Sequence, residues 1–136
     1  MNGRVVLNER DFDRLNDLVH SPRFRVTHAP MVAALERELD RGEVVAPASV
    51  PRGVVTMNSR VRFRDLASGE RETYTLVYPA DANVEDGRLS VLAPLGAALL
   101  GARAGDVVQC QTPGGVRNLK VDRILYQPEA AGDFHL

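Results

Sequence analysis

Arg60, Arg62 and Arg64 recur at every second position, the spacing that puts three side chains on one face of a strand. A row of guanidiniums is an anion-binding array, and Arg23-Phe24-Arg25 sets two more around an aromatic ring. Asp17 and His20 share a helix face, where a carboxylate can orient an imidazole. The plainer reading of that pair is a solvated surface. Glu129 and Asp133 are close enough in sequence to share a cation but lack a third ligand. Cys110 is the only cysteine, which excludes a disulfide framework and a multi-thiolate metal site. It lies in a strand-like run with no base nearby in sequence, which favours a small apolar role. His20, His28 and His135 show no metal-ligand spacing. The paired glycines Gly96 and Gly101, or Gly114 and Gly115, lack the Lys-Ser/Thr of a phosphate loop. These residues predict no catalytic centre, no metal and no cofactor.

The elements that must carry these groups follow from periodicity. Asn8 is a fitting N-cap, with acids at Glu9, Asp11 and Asp13 behind it and Phe12, Leu15, Leu18 and Val19 at helical spacing. Ser21-Pro22 ends that helix. A second helix enters at Pro30, buries Val32, Leu35 and Leu39, and stops at Gly42. Each is about 18 Å long and marginal alone, so the two are expected to pair antiparallel across a connector, Ser21 to His28. Residues 47–53 read as a linker. The period then drops to two. Val55, Met57, Ser59, Val61 and Phe63 face inward, against Thr56, Asn58, Arg60, Arg62 and Arg64 outward. Asp65 to Gly69 is a hairpin turn, a second strand stops at Pro79, strands follow near 88–92 and 107–110, and a last long strand runs over 116–126. Pro94 opens a small apolar helix. The predicted class is α+β: residues 1–46 a helical hairpin, 47–53 a linker, and 54–136 a twisted antiparallel sheet with one short helix.

Charge narrows the function classes. The formal net charge is −1, and neither half carries a basic surplus, so wholesale phosphate neutralisation is not expected. Only the Arg60 to Arg64 cluster is locally basic. No run approaches the ~20 apolar residues of a membrane span, and Arg4, Glu9, Arg10 and Asp11 interrupt any leader core, which predicts a cytoplasmic protein with no membrane partner.

Four ordered blocks carry a resemblance: Val54 to Phe63, Thr75 to Pro79, Leu92 to Gly101 and Tyr126 to Asp133. The chain resembles the family of the regulator of nucleoside diphosphate kinase, relatives of the Gre transcript-cleavage factors. The resemblance implies an FKBP-like C-terminal domain that docks on RNA polymerase at its secondary channel. It also implies a shorter hairpin than the Gre coiled coil, whose tip acids hold a metal ion during RNA cleavage. Here the connector reads Ser21-Pro-Arg-Phe-Arg-Val-Thr-His28 and has no carboxylate for a hard cation. A cation there repels divalent Mg²⁺ by roughly 2 kcal/mol at about 4 Å even in water. The expectation is a non-catalytic transcription regulator that binds polymerase, competes with Gre-type factors, stimulates no cleavage and reads no nucleic-acid sequence. Proline isomerisation, which the FKBP-like fold suggests, is not expected from a chain with no Trp.

The polymerase-binding candidates are Arg23, Arg25, Asn58, Arg60, Arg62, Arg64 and Pro94. Each has a plainer alternative. The strand arginines can pair with Glu70 and Glu72 across the hairpin. Phe24 can fold back on the helices, Asn58 can fix a turn, and the helix after Pro94 can serve the core. The tail ending in Phe134 and Leu136 is expected to cover the sheet.

Overall fold

Asn8 ends one element and begins the next. It closes a short strand, β1 (Val6–Asn8), and its side-chain oxygen accepts the Asp11 N–H at 2.7 Å, capping helix α1 (Glu9–Val19). The computed structural model describes residues 5–136. The expected connector is itself a helix, α2 (Pro22–Thr27). Pro22 surrenders an N–H that the first turn leaves unpaired anyway. Ser21 O then accepts the Arg25 N–H at 3.1 Å, and Phe24 O accepts the His28 N–H at 2.8 Å. Helix α3 (Ala29–Arg41) follows, so three helices stand where two were predicted. It stops at Gly42 without a left-handed residue, since Gly42 has φ −69°. A Cβ at Gly42 would stand 3.1 Å from Glu38 O and 3.3 Å from Val5 O. Close approach, not backbone freedom, explains this glycine. Strand β2 (Glu43–Val45) then pairs parallel with β1, a small sheet that periodicity did not show.

Leu15 and Val19 of α1 and Val32, Leu35 and Leu39 of α3 are buried, as their spacing predicts. Burying those five aliphatic side chains contributes on the order of 10 kcal/mol, more than isolated helices of this length lack. Packing therefore holds the helices. The linker residues form a 3₁₀ turn, Pro47–Ser49, followed by the buried Val50.

The large sheet contains β3 (Arg60–Asp65), β4 (Arg71–Val77), β5 (Arg88–Ser90), β6 (Val107–Thr112) and β7 (Gly115–Tyr126), in spatial order β5-β4-β3-β7-β6. It is mixed, not antiparallel throughout. The chain between β4 and β5 passes through two 3₁₀ turns, and β5 returns parallel to β4. Helix α4 (Pro94–Leu99) packs on β6, and a second small helix, α5 (Pro128–Ala131), follows β7. Val61, Phe63, Leu76, Leu119 and Val121 join the buried helix residues in one continuous core.

The strand expected from Val55 begins only at Arg60. Asn58 adopts φ 67° and turns the chain, while the Asn58 N–H donates to Leu76 O at 2.6 Å. Met57 and Ser59 do point inward, but Thr56 is buried as well. The terminal apolar residues do not cover the sheet: Phe134 and Leu136 are exposed, and Gln127 and Glu129 are the buried polar residues of this segment.

Candidate functional site

Strand β3 is central, so its alternation decides two surfaces at once. Val61 and Phe63 are fully buried, which turns Arg60, Arg62 and Arg64 to the outer face. The register then places Thr75, Thr73 and Arg71 of β4 beside them on one flank. On the other flank stand Tyr126, Arg123 and Lys120 of β7. Glu70 and Glu72 do not supply the expected partners. Glu72 stands opposite Phe63 and accepts from Arg117 Nη2 at 2.6 Å, and Arg117 Nε also donates to Asp65 at 3.0 Å. Those two hydrogen bonds hold the Arg117 guanidinium above its ordinary range; backbone N–H groups, led by Ala67, and Arg117 hold Asp65 below its own. Arg71 meets Asp122 at 3.5 Å, from the bulge in β7. Arg62 and Arg64 each keep a buried Nε–H with no acceptor among the described residues. Sequence reasoning found the three arginines of β3 but missed Arg71, Lys120 and Arg123, which only the register brings alongside.

The other candidates lie on different elements. Arg25 is tethered at the α2 tip: its Nη1 donates to Val19 O at 2.9 Å and stands 3.6 Å from Glu36 of α3. Phe24 folds back against the core, with the Arg23 guanidinium 5.3 Å from its ring centre. Arg25→Ala should therefore cost about 1 kcal/mol, because a carbonyl loses its donor and a half-exposed ion pair is lost. Arg23→Ala should change stability by under about 0.5 kcal/mol. Urea midpoints of the two variants check the contrast; equal shifts would contradict the tether. Pro94 starts α4 and lines an open groove of about 320 Å³ with Met31 and Ala34 of α3 and Gln109 and Gln111 of β6. Asn58 sits at its own turn, half-buried.

A buried polar cluster, unseen in the sequence, ties the first helix to the last. Asn8 Nδ2 donates to Glu129 at 2.6 Å, and Thr56 Oγ1 donates to the other Glu129 oxygen at 2.8 Å. Tyr78 Oη donates to Asp11 at 2.9 Å, with the Arg14 guanidinium 3.9 Å over the Tyr78 ring. Burial is the main cause that lifts Asp11 to about 6, and burial with the Asp11 charge pushes the Tyr78 phenol far above its ordinary range. Asp11 and Glu129 are closed from solvent, so they serve as joints rather than as a reactive pair. Helix-dipole logic found Asp11 but not its depth. Among the described residues, no three His, Cys, Asp or Glu side chains are placed to hold a metal.

The family "Transcription elongation factor, GreA/GreB, C-term" matches residues 50–126, and "Rnk N-terminus" matches residues 4–45. "Regulator of nucleoside diphosphate kinase" of Escherichia coli (strain K12) is 47% identical over 133 residues, 97% of this chain and 96% of that one. "Transcription elongation factor GreA" of Listeria welshimeri is 34% identical over 93 residues, 68% of this chain and 58% of that one. Among solved structures, "Prokaryotic transcription elongation factor GreA/GreB from Nitrosomonas europaea" superposes with TM-score 0.78 at 40% identity, covering 92% of this chain and 100% of that one. Helices on a curled five-stranded sheet, matched in this way, define a transcription regulator of the Gre type. The relatives are named as regulators and elongation factors, not as catalysts. The chain belongs to the family of the regulator of nucleoside diphosphate kinase. No helix among the described residues is long and apolar enough to cross a membrane.

Proposed function

We propose that this chain is a non-catalytic regulator that docks on RNA polymerase near the secondary channel and occupies it against Gre-type factors. In this reading residues 1–46 form the short hairpin, 47–53 the linker and 54–136 an FKBP-like docking platform. The observation that carries it is the α2 tip. From Ser21 to His28 the chain presents no carboxylate, while Arg25 is already held by Val19 O and Glu36. A tip of this charge cannot supply the oxygen ligands that metal-assisted phosphodiester hydrolysis requires. The short α1 and α3 give it little reach, about 20 Å for the longer.

Two measurements test this. Purified core polymerase should retain the chain in dilute buffer, and a Gre factor should displace it; no retention sinks the reading. A stalled elongation complex should keep its transcript length when the chain is added; robust shortening would contradict the tip argument. Arg23 and Arg25 replaced by alanine should weaken the retention in a salt-dependent way if the tip touches the channel rim. A second reading has its own support in the name of the 47% identical relative: an interaction module acting directly on another regulator or a nucleotide-metabolism enzyme. Retention of the chain by purified nucleoside diphosphate kinase, and not by polymerase, would favour it.

A further inference from the structure

The outer face of β4, β3 and β7 carries a charge imbalance that the folded chain does not resolve. Nine positions face out in register: Thr75, Thr73 and Arg71; Arg60, Arg62 and Arg64; Tyr126, Arg123 and Lys120. Six are cationic and none is acidic, in a protein whose net charge is −1. Arg64 stands directly between Arg71 and Lys120, and Arg62 stands beside Arg123. Like charges directly opposite destabilise a sheet. Two acids touch the array from outside the nine positions: Asp122, 3.5 Å from Arg71 at the β7 bulge, and Asp133, which accepts from Tyr126 Oη. The Nε–H groups of Arg62 and Arg64 are buried and find no acceptor among the described residues. The array measures roughly 14 Å along the strands and roughly 10 Å across them.

We infer that this face binds the phosphate backbone of duplex DNA without reading its sequence. The residue types are those that contact phosphates: arginine, lysine and threonine. Protein interfaces are built around clusters of apolar or aromatic anchors; none of the nine in-register positions offers a free one, and Leu125, exposed in the β7 bulge beside Tyr126, stands singly. The face's one aromatic, Tyr126, is half-buried and donates to Asp133. The same lack weighs against single strands, which need exposed rings for base stacking. A duplex offers the densest row of phosphates and asks only for cations. The inference is independent of polymerase docking, because the face can meet DNA with no polymerase present.

The test is fluorescence anisotropy of the full chain with a labelled random-sequence DNA duplex, with single-stranded RNA of equal length as the comparison. The expected result is binding to the duplex at about 50 mM salt that weakens by about 50-fold or more by about 200 mM. Arg62→Gln, Arg64→Gln and Lys120→Gln together should weaken binding at least about tenfold and flatten the salt slope by about 3. Arg37→Gln, Arg41→Gln and Arg103→Gln make the same charge change elsewhere and should leave more than half of the affinity. Melting of the first triple variant should be unchanged or raised, since repulsion is relieved. If it does not fold, Arg60→Gln with Arg123→Gln, both at exposed positions, carries the same expectation with a slope change of about 2. No duplex binding at low salt overturns the inference, as does equal loss in both triple variants. Tighter binding of the single-stranded RNA also overturns it. Loss of polymerase retention with duplex binding intact would make the face a protein surface instead. Failure of polymerase retention with duplex binding preserved leaves this inference standing and removes only the docking proposal.

Discussion

Replacing Gly96 by alanine is expected to lower the melting temperature by about 10 °C or more. Gly96 lies in α4, directly above the chain leaving β5. A Cβ there would overlap the Ser90 carbonyl oxygen, and would stand 2.9 Å from the Ser90 carbonyl carbon and 3.1 Å from Val91 Cα. All three are backbone atoms, so no side chain can swing aside. The helix must lift from the sheet, pulling Leu99, which is 1% exposed, out of its place in the core. Overpacking of this severity costs about 3 kcal/mol, or several degrees per kcal/mol in a chain of this size. Gly53→Ala is the control: nothing lies within 4 Å of a Cβ at that position, and its melting should barely move. Equal melting of the two variants would refute the close approach. Pro94 sits on the same helix, so the Gly96 variant should also disturb the groove between α3, α4 and β6.

The second large effect is a pH dependence set by Asp11. Its folded value is raised from 3.8 to about 6, chiefly by burial; the Tyr78 hydrogen bond opposes this, and the Glu129 charge adds to it. A raised carboxyl means that the folded protein holds its proton more tightly than the unfolded chain does. The associated stability is therefore fully present below about pH 4 and is lost as pH rises through about 6. Two units correspond to about 3 kcal/mol. Asp11→Asn keeps an oxygen for the Tyr78 hydroxyl and removes the charge. Its melting temperature relative to the parent should climb from about pH 4 to about pH 7 and then level off. Other carboxylates titrate in both proteins, so the difference isolates this site. A difference that stays flat across the window would show that Asp11 is not buried against Tyr78 and Glu129.

Helices and alternation were legible because they depend on neighbours a few residues away. Asn8 capped the predicted helix; Leu15, Val19, Val32, Leu35 and Leu39 went inside; and Val61 and Phe63 turned Arg60, Arg62 and Arg64 outward. Local reasoning failed where the chain pairs with itself at a distance. Ser21 to Thr27 lacks an apolar stripe, so the α2 turn gave no periodic pattern to read. Thr56 looked solvent-facing by alternation, yet the left-handed Asn58 breaks the period and sends Thr56 to Glu129. Glu72 looked like a partner for the β3 arginines until the register placed it on the opposite face with Arg117.

Residue identity and spacing alone dictate a tip without carboxylates, three arginines on one strand face and a chain with no internal disulfide. Which cations join those arginines, and which acids reach them, follows from the fold. Charges add by distance in space, and strand register sets that distance. Asp11 and Glu129 show the same rule from the inside: 118 residues apart in the numbering, they meet through Asn8 at 3.5 and 2.6 Å, and their burial makes a surface-looking acid titrate like a core group.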